Sequence, residues 1–245
     1  MHKKQTLYKE SVADGDTFCC SNLERKCEEM KCVIISGGHI EDAFAIEWLK
    51  ENTYDLLIAA DSGMNFLYRN RIVPDVVAGD FDSVSRESLA AFAEMKNVEM
   101  LRLNPIKDDT DTEFVIREAI RRGAKEITLL GATGTRLDHV FGNMHLLGIG
   151  LTHDVKICLV DKYNRIRMIQ GEMVLEKENQ FGLYVSFLPI DGSVTGVTLE
   201  GFKYPLENAT IRSFSSLGIS NEIVEDVATV KVEKGVLLMI ESRDE

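Results

Sequence analysis

Between Met30 and Val160 the chain repeats one pattern: a short apolar run of strand type, then a glycine or an acid, then a stretch with apolar residues at helical spacing. The runs are Cys32–Ile35, Leu56–Ala60, Val76–Ala78, Val98–Leu103, Ile127–Leu130 and Val155–Val160. Helical patterns lie between them around Ala43–Lys50, Ser85–Lys96, Asp111–Arg122 and Asp138–Leu151, with a shorter one ending at Asn70. Runs apolar on both faces, joined by helical crossovers, suit a parallel sheet covered on both sides. Residues 30–162 are therefore expected to form an N-terminal parallel-sheet α/β domain. After Asp161 the period changes. Arg167–Leu175, Leu183–Leu188, Ala209–Phe214, Val227–Val232 and Val236–Glu241 are short and β-rich, and Asp191-Gly192 and Lys234-Gly235 read as turns. A C-terminal antiparallel β-sandwich or barrel domain is expected over 163–245. Residues 1–29, with mixed Lys and Glu clusters and little periodicity, read as a flexible extension.

Composition narrows the functional classes. A net charge of -12 over 245 residues argues against a nucleic-acid backbone or an anionic membrane as the main partner. No apolar run reaches the ~20 residues that span a bilayer, and the start has no secretory apolar region, so a cytoplasmic location is expected. The five cysteines lack paired C-x-x-C spacing and read as free thiols of a reducing compartment.

The chemistry gathers at Gly79-Asp80-Phe81-Asp82-Ser83. Pro74-Asp75 opens the strand before it, and Ser85 can cap a helix after it. The carboxylates thus fall at a strand's C-terminal end, the edge where open α/β sheets bind ligands. With an extended backbone, Asp80 and Asp82 would point to one side with Cα atoms ~6 to 7 Å apart. Like charges that close repel unless a cation lies between them, and Mg²⁺ takes hard oxygen ligands.

Two further stretches keep these acids from reading as ordinary solvated loop residues. Lys107-Asp108-Asp109-Thr110-Asp111 packs three acids and a lysine before a helix; Thr110 and Glu113 have capping-box spacing, and Gly123 marks the helix end. Leu130-Gly131-Ala132-Thr133-Gly134-Thr135-Arg136-Leu137-Asp138-His139 is a small-residue loop entering a helix, a ready site for phosphate oxygens, with Arg136 as a planar donor. It is neither the P-loop nor the dinucleotide fingerprint. His139 reads as a packing or hydrogen-bonding residue at the helix start.

Ala60-Asp61-Ser62-Gly63, the Gly79 to Ser83 and Lys107 to Asp111 stretches, Arg136-Leu137-Asp138-His139 and Ser220-Asn221-Glu222 together resemble the thiamine pyrophosphokinase family, in its order and spacing, from Met30 almost to the C-terminus. The resemblance implies a homodimer that transfers a diphosphoryl group from ATP to thiamine with Mg²⁺, leaving AMP. It assigns Asp80, Asp82 and Asp111 to the metal and diphosphate cluster and, with Arg136, to catalysis. Lys107, Thr110 and Arg136 become phosphate contacts, with Asp108 and Asp138 supporting them and Asp61 also facing the cofactor. Ser220 and Asn221 match the segment that reaches a neighbouring subunit's thiamine. The extension before Met30 has no counterpart in the family, and Ser62 stands where a second glycine is usual. The rival readings are a pyrophosphokinase for another heterocyclic alcohol, such as a hydroxymethylpterin, and a non-catalytic nucleotide-binding module.

Overall fold

The protein is described by a computed structural model covering residues 29–104 and 109–245, so all of the expected flexible extension but Glu29, together with Lys107 and Asp108, lies outside the described residues. The N-terminal half alternates β1 (Lys31–Ile35), α1 (Asp42–Glu51), β2 (Leu56–Ala60), α2 (Gly63–Arg69), β3 (Val76–Gly79), α3 (Arg86–Ala93), β4 (Glu99–Arg102), α4 (Asp111–Arg121), β5 (Glu126–Leu130), α5 (Leu137–Leu146), α6 (Gly148–His153) and β6 (Lys156–Val160). Strands β1 to β6 pair in parallel in the order β6-β5-β1-β2-β3-β4.

Side-chain alternation sorts the helices onto two faces. Val33, Ile35, Leu57, Ala59 and Val77 pack with Ala45 and Leu49 of α1, Met64, Phe66 and Leu67 of α2 and Phe92 of α3. Their strand neighbours Cys32, Ile34, Ile58 and Ala78 pack with Val115, Ile116 and Ala119 of α4 and with Leu147. Burying a large side chain such as Phe66 or Phe92 contributes about 1.5–3 kcal/mol. Caps set the helix limits. Ser85 and Thr110 accept the backbone N–H of Ser88 and Glu113 at 3.1 and 3.2 Å. At the far end of α4, Gly123 takes φ 99° and its N–H bonds Ile120 O, while Ala124 N–H bonds Ala119 O, a Schellman closure.

The expected helix over Asp138–Leu151 is two helices, α5 and α6. The tighter bonds Leu147 N–H to Met144 O and Gly150 N–H to Leu147 O interrupt it just before Gly148, a poor helix former.

After β6 the chain turns back at once. Asp161 Oδ1 accepts the N–H groups of Tyr163 and Asn164, both at 2.8 Å, and β7 (Asn164–Glu176) runs antiparallel to β6. Strands β8 (Tyr184–Pro189), β9 (Val194–Glu200), β10 (Leu206–Ile211) and β11 (Val227–Ser242) complete an antiparallel region in the same hydrogen-bonded sheet. Val227–Val232 and Val236–Glu241, expected as two strands around a turn at Lys234-Gly235, are one strand with a bulge, because both halves pair with β7 and Gly235 absorbs the irregularity at φ 106°. The near half of β11 also pairs with β9 and the far half with β8. Strand β9 was not expected: Gly196, at φ 67°, breaks its Val-Thr alternation. Val185, Phe187, Val197, Leu199, Val230 and Met239 are the heart of the core here. Among the described residues no helix is long and apolar enough to cross a membrane.

Candidate active site

The helices α1 to α3 lie on one face and α4 to α6 on the other, so the direction of winding reverses between β1 and β5, and ligands of open α/β sheets bind at the carboxyl edge of such a point. A cavity of about 720 Å³ opens there, lined by residues from the loops after β1, β2, β3 and β5 and from the starts of α4 and α5. None of its lining residues belongs to β7–β11.

Its floor is stitched together by backbone. Gly38 N–H donates to Gly131 O at 2.7 Å, and His39 N–H to Thr133 O at 2.7 Å. A side chain on Gly38 would run into those two carbonyls, and Gly131 holds φ 70°, so both positions need glycine. Asn143 Nδ2 donates to Ala132 O at 2.7 Å and fixes the loop to α5. The loop then leads into the N-terminus of α5, where Arg136 provides no side-chain cap, and a helix N-terminus of this kind suits an anion. Ser62, the departure from the family pattern, donates its hydroxyl to Gly37 O at 3.1 Å and ties the β2 turn to the β1 turn.

The backbone between Asp80 and Asp82 is not extended, contrary to the expectation. Phe81 takes φ 66° and its ring is buried in the α1–α3 core, while Asp80 Oδ1 accepts the Asp82 N–H at 3.0 Å. This tight turn brings Asp80 and Asp82 to Asp61, and one carboxylate oxygen from each of the three lies within 4.8 Å of the others. Ser83 donates its hydroxyl to Asp61 Oδ2, whereas Asp61 Oδ1 is buried with no partner among the described residues. An ionised oxygen left so, beside two more carboxylates, fits a hard divalent cation such as Mg²⁺. Repulsion from Asp80, followed by partial desolvation, a hydrogen bond with Asp80 and the charges of Asp61 and Asp111, pushes the Asp82 carboxyl above its usual range.

The remaining sequence-derived positions fall around this trio. Asp111, the first residue of α4, lines the same cavity and adds its charge to Asp82, but lies outside the trio of converging oxygens. Thr110 caps α4 with its oxygen and keeps its hydroxyl proton for donation. Arg136 stands exposed at the cavity mouth, paired with Asp138 at 2.7 Å, and its hydrogen bond holds the Asp138 carboxyl below the usual range. His139, read from sequence as a packing or hydrogen-bonding residue, is exposed and lines the cavity. Ser220 sits at φ 55° in an exposed turn of the C-terminal half, its N–H donated to Ser186 Oγ at 2.9 Å. Asn221 is 2% exposed and spends its side chain on its own chain: Oδ1 accepts from Tyr204 and Glu222 N–H, and Nδ2 donates to Tyr204 O. Two contributors were given no role by the sequence, although Ser83 closes the acidic stretch itself. Asn65 accepts the Ser85 N–H at 3.0 Å, anchoring the acidic turn to α2, and Ser83 orients Asp61.

A carboxyl-edge cavity with three converging carboxylates on one side and a glycine turn at a helix N-terminus on the other defines a nucleotide-binding α/β enzyme of the phosphotransferase class. Residues 49–159 match the family model described as thiamin pyrophosphokinase, catalytic domain, and residues 172–237 match thiamin pyrophosphokinase, vitamin B1 binding domain. The chain belongs to the thiamine pyrophosphokinase family. It is 37% identical over 195 residues to the thiamine pyrophosphokinase of Bacillus subtilis (strain 168), covering 78% of this chain and 89% of the relative. It is 27% identical to thiamine pyrophosphokinase 2 of Arabidopsis thaliana, with 71% and 68% covered. The solved structure of the Bacillus subtilis enzyme superposes with a TM-score of 0.78 at 33% identity over 88% of this chain and all of that one (100%). That of Geobacillus thermodenitrificans thiamin pyrophosphokinase gives 0.76 at 32% identity, covering 88% and 99%.

Proposed function

We propose that this chain transfers the terminal diphosphoryl group of ATP to the hydroxyl of thiamine, giving thiamine diphosphate and AMP. The observation that carries the reading is one cavity lined both by Asp61 and Asp80, on which Asp82 converges, and by the turn of residues 132–136. The hydroxyl oxygen bonds to the β-phosphorus and releases its proton to solvent, the bond from that phosphorus to the oxygen bridging the α-phosphate breaks, and AMP leaves with the electron pair. Such a transfer needs alignment and charge neutralisation more than covalent chemistry. The N–H groups at the start of α5 and the guanidinium of Arg136 hold phosphate oxygens, Asp138 steers Arg136, and Thr110 adds a hydroxyl donor. Lys107 and Asp108 are assigned to the same phosphates by family resemblance alone. Mg²⁺ would be held by Asp61, Asp80 and Asp82, with Asp111 alongside, and when bound supplies positive charge to the diphosphate.

We assign the ATP-binding chemistry to residues 30–162 and thiamine binding and dimerisation to 163–245, a division supported by the break between the two family models at 159 and 172. The active unit in this reading is a homodimer. Its support is that no residue of β7–β11 lines the catalytic cavity, while apolar side chains stand uncovered both at the cavity mouth, Leu137 and Phe141, and beside Ser220, at Phe214, Leu217 and Ile219. A partner's Ser220 turn then meets α5, with Asn221 positioning the turn. A cytoplasmic location fits the free thiols of Cys32 and Cys158.

The test is AMP release from ATP that requires both Mg²⁺ and thiamine. AMP release with a hydroxymethylpterin in place of thiamine, or ATP binding with no release under any alcohol, would replace this reading with one of its rivals.

A further inference from the structure

At the opposite edge of the sheet, by the N-terminal ends of β5 and β6, lies a second cavity of about 840 Å³. Its origin is topological. Strand β6 enters β7 through a hairpin instead of a crossover helix, so among the described residues Trp48 and Asn52 of α1 and Phe181 line the cavity on the α1–α3 face, while Leu147, Gly150, Ile157 and Met168 line it from the other. The volume is within the ~300–1,000 Å³ typical of small-molecule sites.

The inner wall carries an unbalanced charge. Glu241, 0% exposed, accepts from Arg165 Nε at 2.7 Å and from a terminal nitrogen of Arg167 at 2.7 Å, so two guanidiniums share one carboxylate. Arg167 lines the cavity, and its Nε is buried with no partner among the described residues. Cys158, on the same wall, supplies no negative charge, because burial pushes its thiol up to about 12. At the rim, Lys156 pairs with Glu29 at 3.7 Å and Glu126 with Lys31 at 3.9 Å, and Lys125 and Asp154 carry opposite charges, so the rim is close to balanced. The Arg167 guanidinium is part-exposed, shares its one carboxylate with Arg165 and keeps a donor without a partner among the described residues, a combination that favours an added anion. On the side of Arg167 the lining also includes the flat or flexible apolar side chains Trp48, Phe181 and Met173, beside the polar Asn52 and Thr128.

We infer that this cavity is a second ligand site, for a small oxyanion carried on a flat apolar group, an aryl phosphate or aryl carboxylate, with Arg167 as its anion contact and Trp48 beside its ring. The site is independent of the thiamine and ATP reading.

Trp48 is the single tryptophan of the chain, so its emission reports on this cavity alone. The full chain is titrated in EDTA with phenyl phosphate, benzoate and inorganic phosphate. A saturable change with phenyl phosphate or benzoate is expected, the tighter of the two naming the oxyanion, and inorganic phosphate should bind more weakly than phenyl phosphate. Arg167→Met should raise Kd roughly tenfold or more, the worth of one charged hydrogen bond, while thiamine-dependent turnover stays at the wild-type level. If the melt of Arg167→Met shows it unfolded, Gln170→Glu decides instead: this exposed rim residue tolerates the change and the added negative charge should raise Kd several-fold. No saturable change with either aryl probe, or an unchanged Kd in the deciding variant, overturns the site. Equal binding of phenyl phosphate and inorganic phosphate overturns its apolar half.

Discussion

Ser83 donates its hydroxyl to the carboxylate of Asp61, joining the turn after β3 to the turn after β2 and leaving the second oxygen of Asp61 buried with no partner among the described residues. The trio is therefore held together in the free protein by hydrogen bonds, against its own repulsion. That arrangement can be tested from both sides.

Asp82→Asn should lower thiamine-dependent AMP formation by about 10²–10³-fold, the usual loss for one transition-state charge contact. The fold should gain. The Asp82 carboxyl titrates above its usual range, so its repulsion is present above that raised value and absent below the ordinary one, about 3.9. In EDTA the melting temperature of Asp82→Asn should exceed that of the wild type at neutral pH, and the difference should vanish as pH falls below that ordinary value. Added Mg²⁺ should raise the wild-type melt and leave Asp82→Asn unmoved. A variant less stable at neutral pH would show that Asp82 serves the fold.

Asn65 reaches the acids only through the turn it anchors. Asn65→Ala removes two exposed hydrogen bonds, the one accepted from Ser85 N–H and the long one donated to Ser83 O, together about 1–2 kcal/mol, and should lower the melt only slightly. The turn that presents Asp80 and Asp82 loosens, so the Mg²⁺ concentration for half-maximal rate should rise several-fold while the rate at saturating Mg²⁺ recovers. A proportional loss at all Mg²⁺ concentrations would reject this positioning role.

Hybrid assembly tests the shared site. Thiamine is a cation, so Ser220→Arg should repel it without disturbing the turn, since the Ser220 side chain is exposed. Mixing inactive Ser220→Arg with inactive Asp82→Asn should restore part of the activity, because one of the two sites in each mixed dimer is intact. Activity in a sedimenting monomer would remove the dimer from the mechanism.

Asn221→Ala leaves the Tyr204 and Glu222 backbone groups without their side-chain partner in a buried place, at a cost of roughly 2–4 kcal/mol. The melt should fall clearly, whereas Ser220→Ala should not change it. Equal melts for both variants would mean that Asn221 does not hold the turn.

Acid stability should carry the signature of Glu241. Burial alone would raise its pKa, but the hydrogen bond from Arg165 and the charges of Arg167 and Arg165 bring it below the usual glutamate range. A depressed carboxyl stabilises the fold above its unfolded value, about 4.3, and loses that contribution as pH falls through its folded value. Stability measured by urea unfolding should drop across this window in the wild type, and Glu241→Gln, less stable at neutral pH, should lack that portion of the slope.

The parallel strands and their helices were legible because each is a local matter: apolar runs of a few residues, punctuated by Gly, Asp or Ser, with caps such as Ser85 and Thr110 at readable offsets. What escaped depended on partners far along the chain. Gly196 and Gly235 look like breaks until β9 is seen to pair with β10, and β11 with β7, across the irregularities. The acid motif named the right loop but the wrong backbone, since the left-handed turn at Phe81 follows from where its ring is buried. Asp61 was legible as a family position, yet its partnership with Asp80 and Asp82 arises from the side-by-side pairing of β2 and β3. The charge shared by Arg165, Arg167 and Glu241 joins residues 74 and 76 positions apart and has no local trace.

The central place of β11 in the antiparallel region bears on how the protein is made. Strands β7, β8 and β9 all take β11 as a partner, and β11 leaves the ribosome after every one of them. The parallel strands β1 to β6 have each other as partners and can assemble during synthesis, as N-terminal units generally do. The C-terminal strands meanwhile wait with open edges, which are prone to pair with another chain. The vulnerable interval in biogenesis is therefore the emergence of the last strand, and slowing translation just before residue 227 should lengthen the time for which nascent chains are exposed to chaperones and to aggregation.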